Sequence, residues 1–293
     1  MTIKLARPVQ PRLWRNLALA SATVTLAAMP ALGQSKAGAL DRAADMGATL
    51  WLADGSEGGE AAAAPAPAPT EGGEQGESGS VASGDAIVDL LAGLLQIEGH
   101  LATGFALWAD GDHDNGQAHM GHPKAEVYEV IELTLADLGQ PQFEGELEEL
   151  VDAAANGKDQ ATLDGIRAEI LAAVAAVRSA AVAKDPHDDF TALVLLIRKA
   201  GDEWAKGVVA GSIANLHEYQ DAWGFVQAAR ARATDLAASP DANVKAAADA
   251  ALAALDSLAP ALPAVTPTGV VGGDAGLFAA AAARIELAAY KVK

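Results

Sequence analysis

The sequence contains no cysteine in its 293 residues. Thiolate ligands and disulfide bonds are therefore excluded, so any metal site must use imidazole, carboxylate, thioether or backbone oxygen donors. Aromatic residues make up only 4% of the chain, which leaves few rings to sandwich a porphyrin. Basic residues are also scarce, since 20 Lys and Arg stand against 39 Asp and Glu. This acidic balance disfavours nucleic acid and anionic lipid as partners, and suits cation binding or solubility alone.

The N-terminal residues have the pattern of an export signal. Four basic side chains precede the apolar run NLALASATVTLAAMPALG, which ends in the small-x-small site Ala31-Leu32-Gly33. The run is too short and too rich in Ala and Thr for a convincing membrane span, which needs about 20 strongly apolar residues. We predict a signal peptide over residues 1–33, with an uncleaved anchor as the alternative. The expected location is therefore periplasmic or secreted.

Composition divides the rest of the chain into three parts. Residues 34–53 form a short N-terminal segment. Residues 54–84 are dominated by Gly, Ala, Pro, Ser and Glu and have almost nothing to bury, which predicts a disordered linker. The compact domain is then expected over residues 85–293, a length sufficient for one sizeable core.

Helical patterns fill this domain. Asp85 can cap a helix that runs to about Ala109, and Pro123 separates a second helix, 113–121, from a third that ends near Leu138. No stretch shows the strict alternation of β-branched and polar residues that a strand needs. The sequence predicts an all-α fold, a single bundle of about seven to nine helices. The later helices are expected over 143–155, 160–183, 186–209, 212–237, 240–258 and 274–290, with a loop over 259–276.

The segment ADGDHDNGQAHMGHP, residues 109–123, holds three of the six histidines and three aspartates. The aspartates occupy the first, third and fifth positions of an EF-hand loop. However, Asn115 replaces the glycine at the sixth position and Gly121 replaces the bidentate glutamate at the twelfth. A calcium site is therefore disfavoured against a polar turn in which Asp112 or Asp114 caps the following helix.

A transition-metal site is the sharper interpretation of the same segment. His119 and His122 are three residues apart, which places both rings on one helical face, and Glu126 follows one turn later. Imidazole and carboxylate donors suit zinc, copper or iron, and the affinity order favours copper. Such spacing also occurs by chance on protein surfaces, so a metal site needs partners from other helices.

The helix expected from Asp85 to Ala109 can supply one partner. His100 lies on a narrow polar stripe of this otherwise apolar helix, and that stripe faces either solvent or a ligand. Glu98 lies on the opposite, apolar side, where a buried carboxylate must be paired, protonated or metal-bound. An internal ion pair with Arg or Lys is the first interpretation of Glu98, and a metal contact is the second.

The segment NLHEYQDAWGFV, residues 215–226, can supply the other partners. His217 and Asp221 are four residues apart and share a helical face. A carboxylate one turn from a histidine can bind the metal itself or hold the imidazole through its other nitrogen. The predicted metal site therefore comprises His100, His119, His122, Glu126, His217 and Asp221.

Three segments, IEGHLATGFALW, AHMGHPKAEVYE and NLHEYQDAWGFV, together resemble periplasmic helical proteins of iron and copper handling. The resemblance covers residues 85–235 and points to imelysin-like proteins and to the periplasmic helical domains of bacterial iron permeases. It rests on architecture and scattered His and Glu residues, because the His-x-x-Glu of the imelysin type and the Arg-Glu patterns of the permeases are missing. The resemblance implies metal capture or delivery, and no individual residue is carried over from it.

These observations predict an exported metal-binding protein that captures or delivers copper, zinc or iron through a His/carboxylate site, with haem as a less favoured cofactor. The alternative is an envelope interaction or solute-binding module that has no metal and no enzymatic activity. An enzyme ranks third, because a nucleophile elbow, a phosphate loop, a zincin motif and repeated Glu-x-x-His are all missing from the sequence. The expected partners are a metal ion and an envelope protein, with no nucleic acid and no membrane span after signal cleavage.

Overall fold

The structure, a computed structural model, describes residues 83–181 and 185–292. These residues are helical almost throughout, which confirms the predicted all-α fold. The predicted signal peptide, the 34–53 segment and nearly all of the predicted linker lie outside the described residues. The helices are α1 (Ala86–Ala109), α2 (His113–His122), a π-helical segment (Pro123–Tyr128), α3 (Glu129–Asp137), α4 (Glu144–Ala155), α5 (Gln160–Ala181), α6 (His187–Gly207), α7 (Leu216–Ala237), α8 (Ala242–Asp256) and α9 (Ala275–Ala289).

Helix α1 lies at the centre of the fold. It begins where the Asp85 carboxylate accepts hydrogen bonds from the backbone N–H groups of Ile87 and Val88, as expected of a helix N-cap. The helix is apolar on nearly all sides, so it is stable only when other helices cover it. It packs against α2, α5, α6 and α7. Polar residues on α1 are therefore brought to the interfaces between helices.

Helices α6 to α9 pack on one another as a group of four. Each of them contacts two others of the group, α6 with α7 and α9, and α8 with α7 and α9. Arg232 on α7 donates two hydrogen bonds, of 2.9 and 2.6 Å, to the buried carboxylate of Asp189 at the start of α6. The loop that precedes α9 is held by Tyr219, whose hydroxyl donates to the carbonyl of Ala264 at 2.8 Å.

The segment around Pro123 differs from the prediction. Helix α2 does not stop there, because the chain continues through the π-helical segment into α3. Proline has no N–H to bond to the carbonyl of His119 four residues earlier, and its ring crowds that carbonyl. A wider π turn accommodates both effects and keeps the helix continuous.

A two-stranded hairpin, β1 (Val208–Val209) and β2 (Ser212–Ile213), joins α6 to α7. The predictions that helix 186–209 reaches residue 209 and that no stretch forms a strand are therefore wrong here. Between the strands, Ala210 and Gly211 have φ values of 51° and 78°. Positive φ at both central residues defines the type I′ turn, whose twist matches antiparallel strands. An Ala-Gly turn lacks the usual Asn-Gly signal, so the sequence pattern did not indicate it.

Two glycines allow the central helices to approach closely. A Cβ atom at Gly116 of α2 would lie 3.0 Å from the backbone nitrogen of Trp108 on α1. A Cβ atom at Gly224 of α7 would collide with the hydroxyl of Thr103 and the carbonyl oxygen of Gly99, both on α1. Because both faces of α1 are so closely packed, side chains from α1, α2 and α7 reach one common point.

Candidate metal centre

Four buried side chains from three helices converge between α1, α2 and α7. They are His100 from α1, His119 and His122 from α2, and Asp221 from α7. One potential ligand atom of each lies within 4.8 Å of those of the other three. None of the four residues is more than 9% exposed. This group is called the His3Asp cluster below.

One oxygen of Asp221 is the focus of the His3Asp cluster. Its Oδ1 atom lies 2.8 Å from Nδ1 of His100, 3.0 Å from Nδ1 of His119 and 3.9 Å from Nδ1 of His122. In a tetrahedral site with bonds of about 2.0–2.1 Å, neighbouring ligand atoms are about 3.3 Å apart. The three observed distances bracket this value. The spacing therefore suits one transition-metal ion held by three imidazole nitrogens and one carboxylate oxygen.

The side-chain amide of Gln220 contacts the nitrogen of His119 that faces away from Asp221. Its oxygen lies 3.0 Å from Nε2 of His119, and an amide oxygen accepts from an N–H group. Nδ1 of the same ring lies 3.0 Å from Oδ1 of Asp221, and either a proton on Nδ1 or a metal ion between the two atoms would stabilise this contact. Gln220 thus orients His119 as hydrogen-bonded partners orient metal-binding histidines.

The electrostatics of the cluster favour the forms that bind metal. Burial lowers the pKa of the His119 imidazole, an effect that the neighbouring Asp221 opposes and that His122 and His100 reinforce. Burial alone would raise the pKa of the Asp221 carboxyl, but His100, His119 and His122 together hold that pKa well below its usual range. A neutral imidazole and an ionised carboxylate are the states that coordinate a metal ion.

Two of the predicted ligands lie beside the cluster. The carboxylate of Glu126 is 3.7 Å from Nδ1 of His122 and 3.9 Å from Nε2 of His100. The ring of His217 is centred 5.3 Å from that of His119. Its Nε2 atom lies 2.9 Å from the side-chain oxygen of Asn115 on α2.

Glu98 is separate from the cluster. Arg178 on α5 donates hydrogen bonds of 3.0 and 2.6 Å to its two carboxylate oxygens. This bidentate contact is the internal ion pair that was the first interpretation of Glu98. It pins α5 to the apolar side of α1, opposite to His100.

Helix α6 adds a cluster of charged side chains that no sequence pattern indicates. Glu203 is buried and pairs with Lys199 at 2.7 Å and with Lys206 at 3.0 Å. It also shares a hydrogen bond with Glu218, whose pKa is raised to about 8, first by burial and then by the contact with Glu203. The spacing of these residues along α6 is that of ordinary surface ion pairs, so the sequence gives no signal of burial.

The charged group and the His3Asp cluster share one small cavity. The cavity has a volume of about 20 Å³, which is room for about one water-sized species. It is lined by residues of both groups together with Glu126, His217 and Phe225: His100, His122, Glu126, Lys199, Glu203, His217, Glu218, Asp221 and Phe225. A metal ion held by the cluster would therefore face several carboxylates and the ammonium group of Lys199.

Residues 179–286 match the family of iron permease-associated 4-helix bundle domains. The matched segment, which is less than half of the chain, contains α6 to α8 and most of α9, the four helices that pack as a group. Asp221 and Gln220 lie within it, whereas the three histidines of the cluster lie before it. No curated protein and no solved structure matches the chain.

The match confirms one part of the predicted resemblance. Residues 179–286 are similar to an iron permease-associated helical domain, which supports the iron-permease part of that resemblance. The likeness to imelysin-type proteins is not confirmed.

The predicted periplasmic or secreted location is wrong. Iron permeases are integral membrane proteins, so the matched domain points to the membrane. Among the described residues one helix, α1, is long and apolar enough to cross a bilayer, although 83% of its most apolar window is buried inside the bundle. The length and composition of α1 fit both a membrane span and the buried central helix of a bundle. The prediction that the chain has no membrane span is therefore not confirmed.

Proposed function

We propose that the domain binds one transition-metal ion through His100, His119, His122 and Asp221 and serves iron uptake at the membrane. The observation that carries this proposal is the arrangement of three Nδ1 atoms around Oδ1 of Asp221 in a buried site. A buried carboxylate beside three buried imidazoles needs a positive charge, supplied either by a proton on a ring nitrogen or by a metal ion. A metal ion would bind all four groups at once.

Iron is the cargo that we favour. Three nitrogens and one oxygen, without thiolate, suit iron, copper and zinc alike, and the intrinsic affinity order would place copper first. Affinity in solution therefore does not identify the physiological ion, because proteins select metals by geometry and supply as well. The match of α6 to α9 to an iron permease-associated domain supports iron.

Capture and transfer fit the cluster better than catalysis. The small cavity beside the cluster leaves room for about one water-sized species and none for an organic substrate. The ligands of the His3Asp cluster come from α1, α2 and α7. A bound ion would therefore connect α2 and α7 to the central helix. We propose that the ion is held there until it passes to or from a membrane permease.

The test is metal binding by the full-length chain, purified without a histidine tag. Metal content is measured by mass spectrometry, and binding of Fe(II), Cu(II) and Zn(II) is measured under anaerobic conditions. The variant His119→Ala/His122→Ala removes two ligands, and His113→Gln, an exposed histidine of the same helix, is the matched control. We expect about one ion per chain in the wild type and control, and none in the double variant.

A protein that binds none of the three ions, and whose melting temperature none of them changes, would contradict the proposal. Binding that survives in the double variant would place the ion elsewhere.

A further inference from the structure

We infer that the same ion has a second, outer position between Glu126, His122 and Nε2 of His100, and that it enters and leaves the His3Asp cluster through this position. The inference rests on the proposed function, since it assigns a loading route to the same site.

The ring of His100 faces a carboxylate on each side. Its Nδ1 atom is 2.8 Å from Asp221, and its Nε2 atom is 3.9 Å from Glu126. His100 is only 1% exposed, and its Nε2 atom makes no hydrogen bond within the described part of the chain. A buried imidazole nitrogen without a partner is costly, so a cation or water must complete its environment at some stage.

The distances around Glu126 suit an ion better than a direct contact. Gaps of 3.7 Å to Nδ1 of His122 and 3.9 Å to Nε2 of His100 are too long for hydrogen bonds. Two bonds of about 2.0–2.1 Å to one ion span gaps of this size. Two nitrogens and a carboxylate would then hold the ion, with the small cavity providing space for water as a further ligand.

The two positions cannot be filled together. Nδ1 of His122 is 3.9 Å from Asp221 and 3.7 Å from Glu126. This single nitrogen is therefore a ligand of both the His3Asp cluster and the outer position. One lone pair binds one metal ion. The outer position is therefore a stage in the path of one ion. On the way to the inner position the His122 ring turns from Glu126 toward Asp221. The ion also changes from Nε2 to Nδ1 of His100, and the ring proton of His100 moves from Nδ1 to Nε2.

Glu126 also connects the outer position with solvent. Its side chain is 27% exposed, whereas that of Asp221 is 12% exposed. Besides the small cavity, Glu126 lines a second cavity of about 190 Å³ between α1 and α3, whose other polar lining includes Asp89 and Gln96. Asp89, Gln96 and His100 lie on the polar stripe of α1. This stripe gives a hydrated cation a polar path that ends at Glu126.

The experiment measures how fast Co(II) enters and leaves the full-length, metal-free protein. Stopped-flow absorption follows loading, and a chase with excess EDTA follows release. In Glu126→Gln we expect loading and release to slow together by about tenfold, while the affinity and the final spectrum change little. Equal slowing in both directions is the mark of a lost stage on the path, because the end state is unchanged.

Two further variants make the result specific. Glu129→Gln removes the same charge from an exposed site one turn later, so it controls for long-range attraction of the cation and should load at the wild-type rate. Glu126→Asp keeps a carboxylate and should restore part of the rate. Unchanged rates in Glu126→Gln would overturn the inference, as would a weaker affinity with an altered spectrum, which would make Glu126 a ligand of the final site. A wild-type protein that binds no Co(II) would instead count against the proposed function.

Discussion

The side-chain oxygen of Gln220 lies 3.0 Å from Nε2 of His119, and this contact joins α7 to α2 across 101 positions of sequence. It links the part of the chain that matches an iron permease-associated domain with the histidine-rich segment that precedes it. The cluster therefore cannot form from either part alone. Residues 83–178 contribute the imidazoles, and α7 contributes both the carboxylate and the group that orients one ring.

Replacing Gln220 with methionine should weaken metal binding without removing a ligand. Methionine has a similar shape but no amide group, so His119 loses the hydrogen-bond partner that orients its ring. Loss of such a partner typically costs about 10- to 100-fold in metal affinity. Competition with a chelator of known affinity measures the effect, and circular dichroism checks the fold. An affinity equal to the wild type would show that Gln220 has no orienting role.

Metal affinity should hold from about pH 8 to pH 7 and fall as the pH drops through about 6.5, the ordinary pKa of imidazole. Protons compete with the ion for three imidazoles, so more than one proton should be taken up per ion released. Because burial lowers the pKa of His119, this ring stays neutral to a lower pH than an exposed one. Affinities measured by chelator competition between pH 5 and 8 test this. Constant affinity down to pH 5 would indicate that carboxylates alone hold the ion.

The sequence predicted the helices and several residues of the cluster for clear physical reasons. A helix that is apolar except for one stripe must place that stripe against a neighbour or solvent, and His100 lies on it. The spacing of His119 and His122 required that both rings share a face. These inferences needed only the helical period.

Other features depend on contacts between helices, which the helical period of the sequence does not predict. His217 and Asp221 share a helical face, and only the close packing at Gly224 determines that Asp221 reaches the cluster. Glu126 lies 3.7 Å from Nδ1 of His122, as the spacing of one turn predicts, but this spacing does not predict its distance of 3.9 Å from His100 on α1. Glu203 has the sequence neighbours of a surface residue and is buried only because α7 covers it.

Glu218→Gln should stabilise the metal-free protein at alkaline pH. The pKa of Glu218 rises from 4.5 to about 8 on folding, so the folded state keeps a proton that the unfolded state loses. Stability from this group is complete below pH 4.5 and is lost as the pH rises to about 8. Glutamine stays neutral at every pH. The melting temperature of the variant relative to wild type should therefore rise between pH 5 and 9 in the presence of chelator, and a constant difference would contradict the assignment.

The ion pair between Glu98 and Arg178 should affect stability and not metal binding. Arg178→Met leaves the Glu98 carboxylate without its bidentate partner, at a cost of about 1–3 kcal/mol in the free energy of unfolding. Adding Glu98→Gln removes the unpaired charge and should recover much of this loss. Urea unfolding measures both values, and metal affinity should stay at the wild-type value in both variants. A loss of affinity would mean that α5 positions the cluster through α1.

Gly224→Ala should weaken metal binding through the distance between two helices. The added methyl group would collide with Thr103 and with the backbone of Gly99, so α7 must move away from α1. Overpacking of this kind costs about 1–3 kcal/mol. The same movement would carry Asp221 away from His100, so the affinity should fall as well.

The control for this substitution is Gly165→Ala on α5, where nothing lies within 4 Å of the added Cβ. Alanine there should raise stability by about 0.5–1 kcal/mol through helix propensity and leave metal binding unchanged. If Gly224→Ala lowers stability as expected but binds metal as tightly as the wild type, the cluster tolerates a wider gap between α1 and α7. The close packing of these helices would then serve the core alone, and the spacing of Asp221 from the histidines would be set by their side chains.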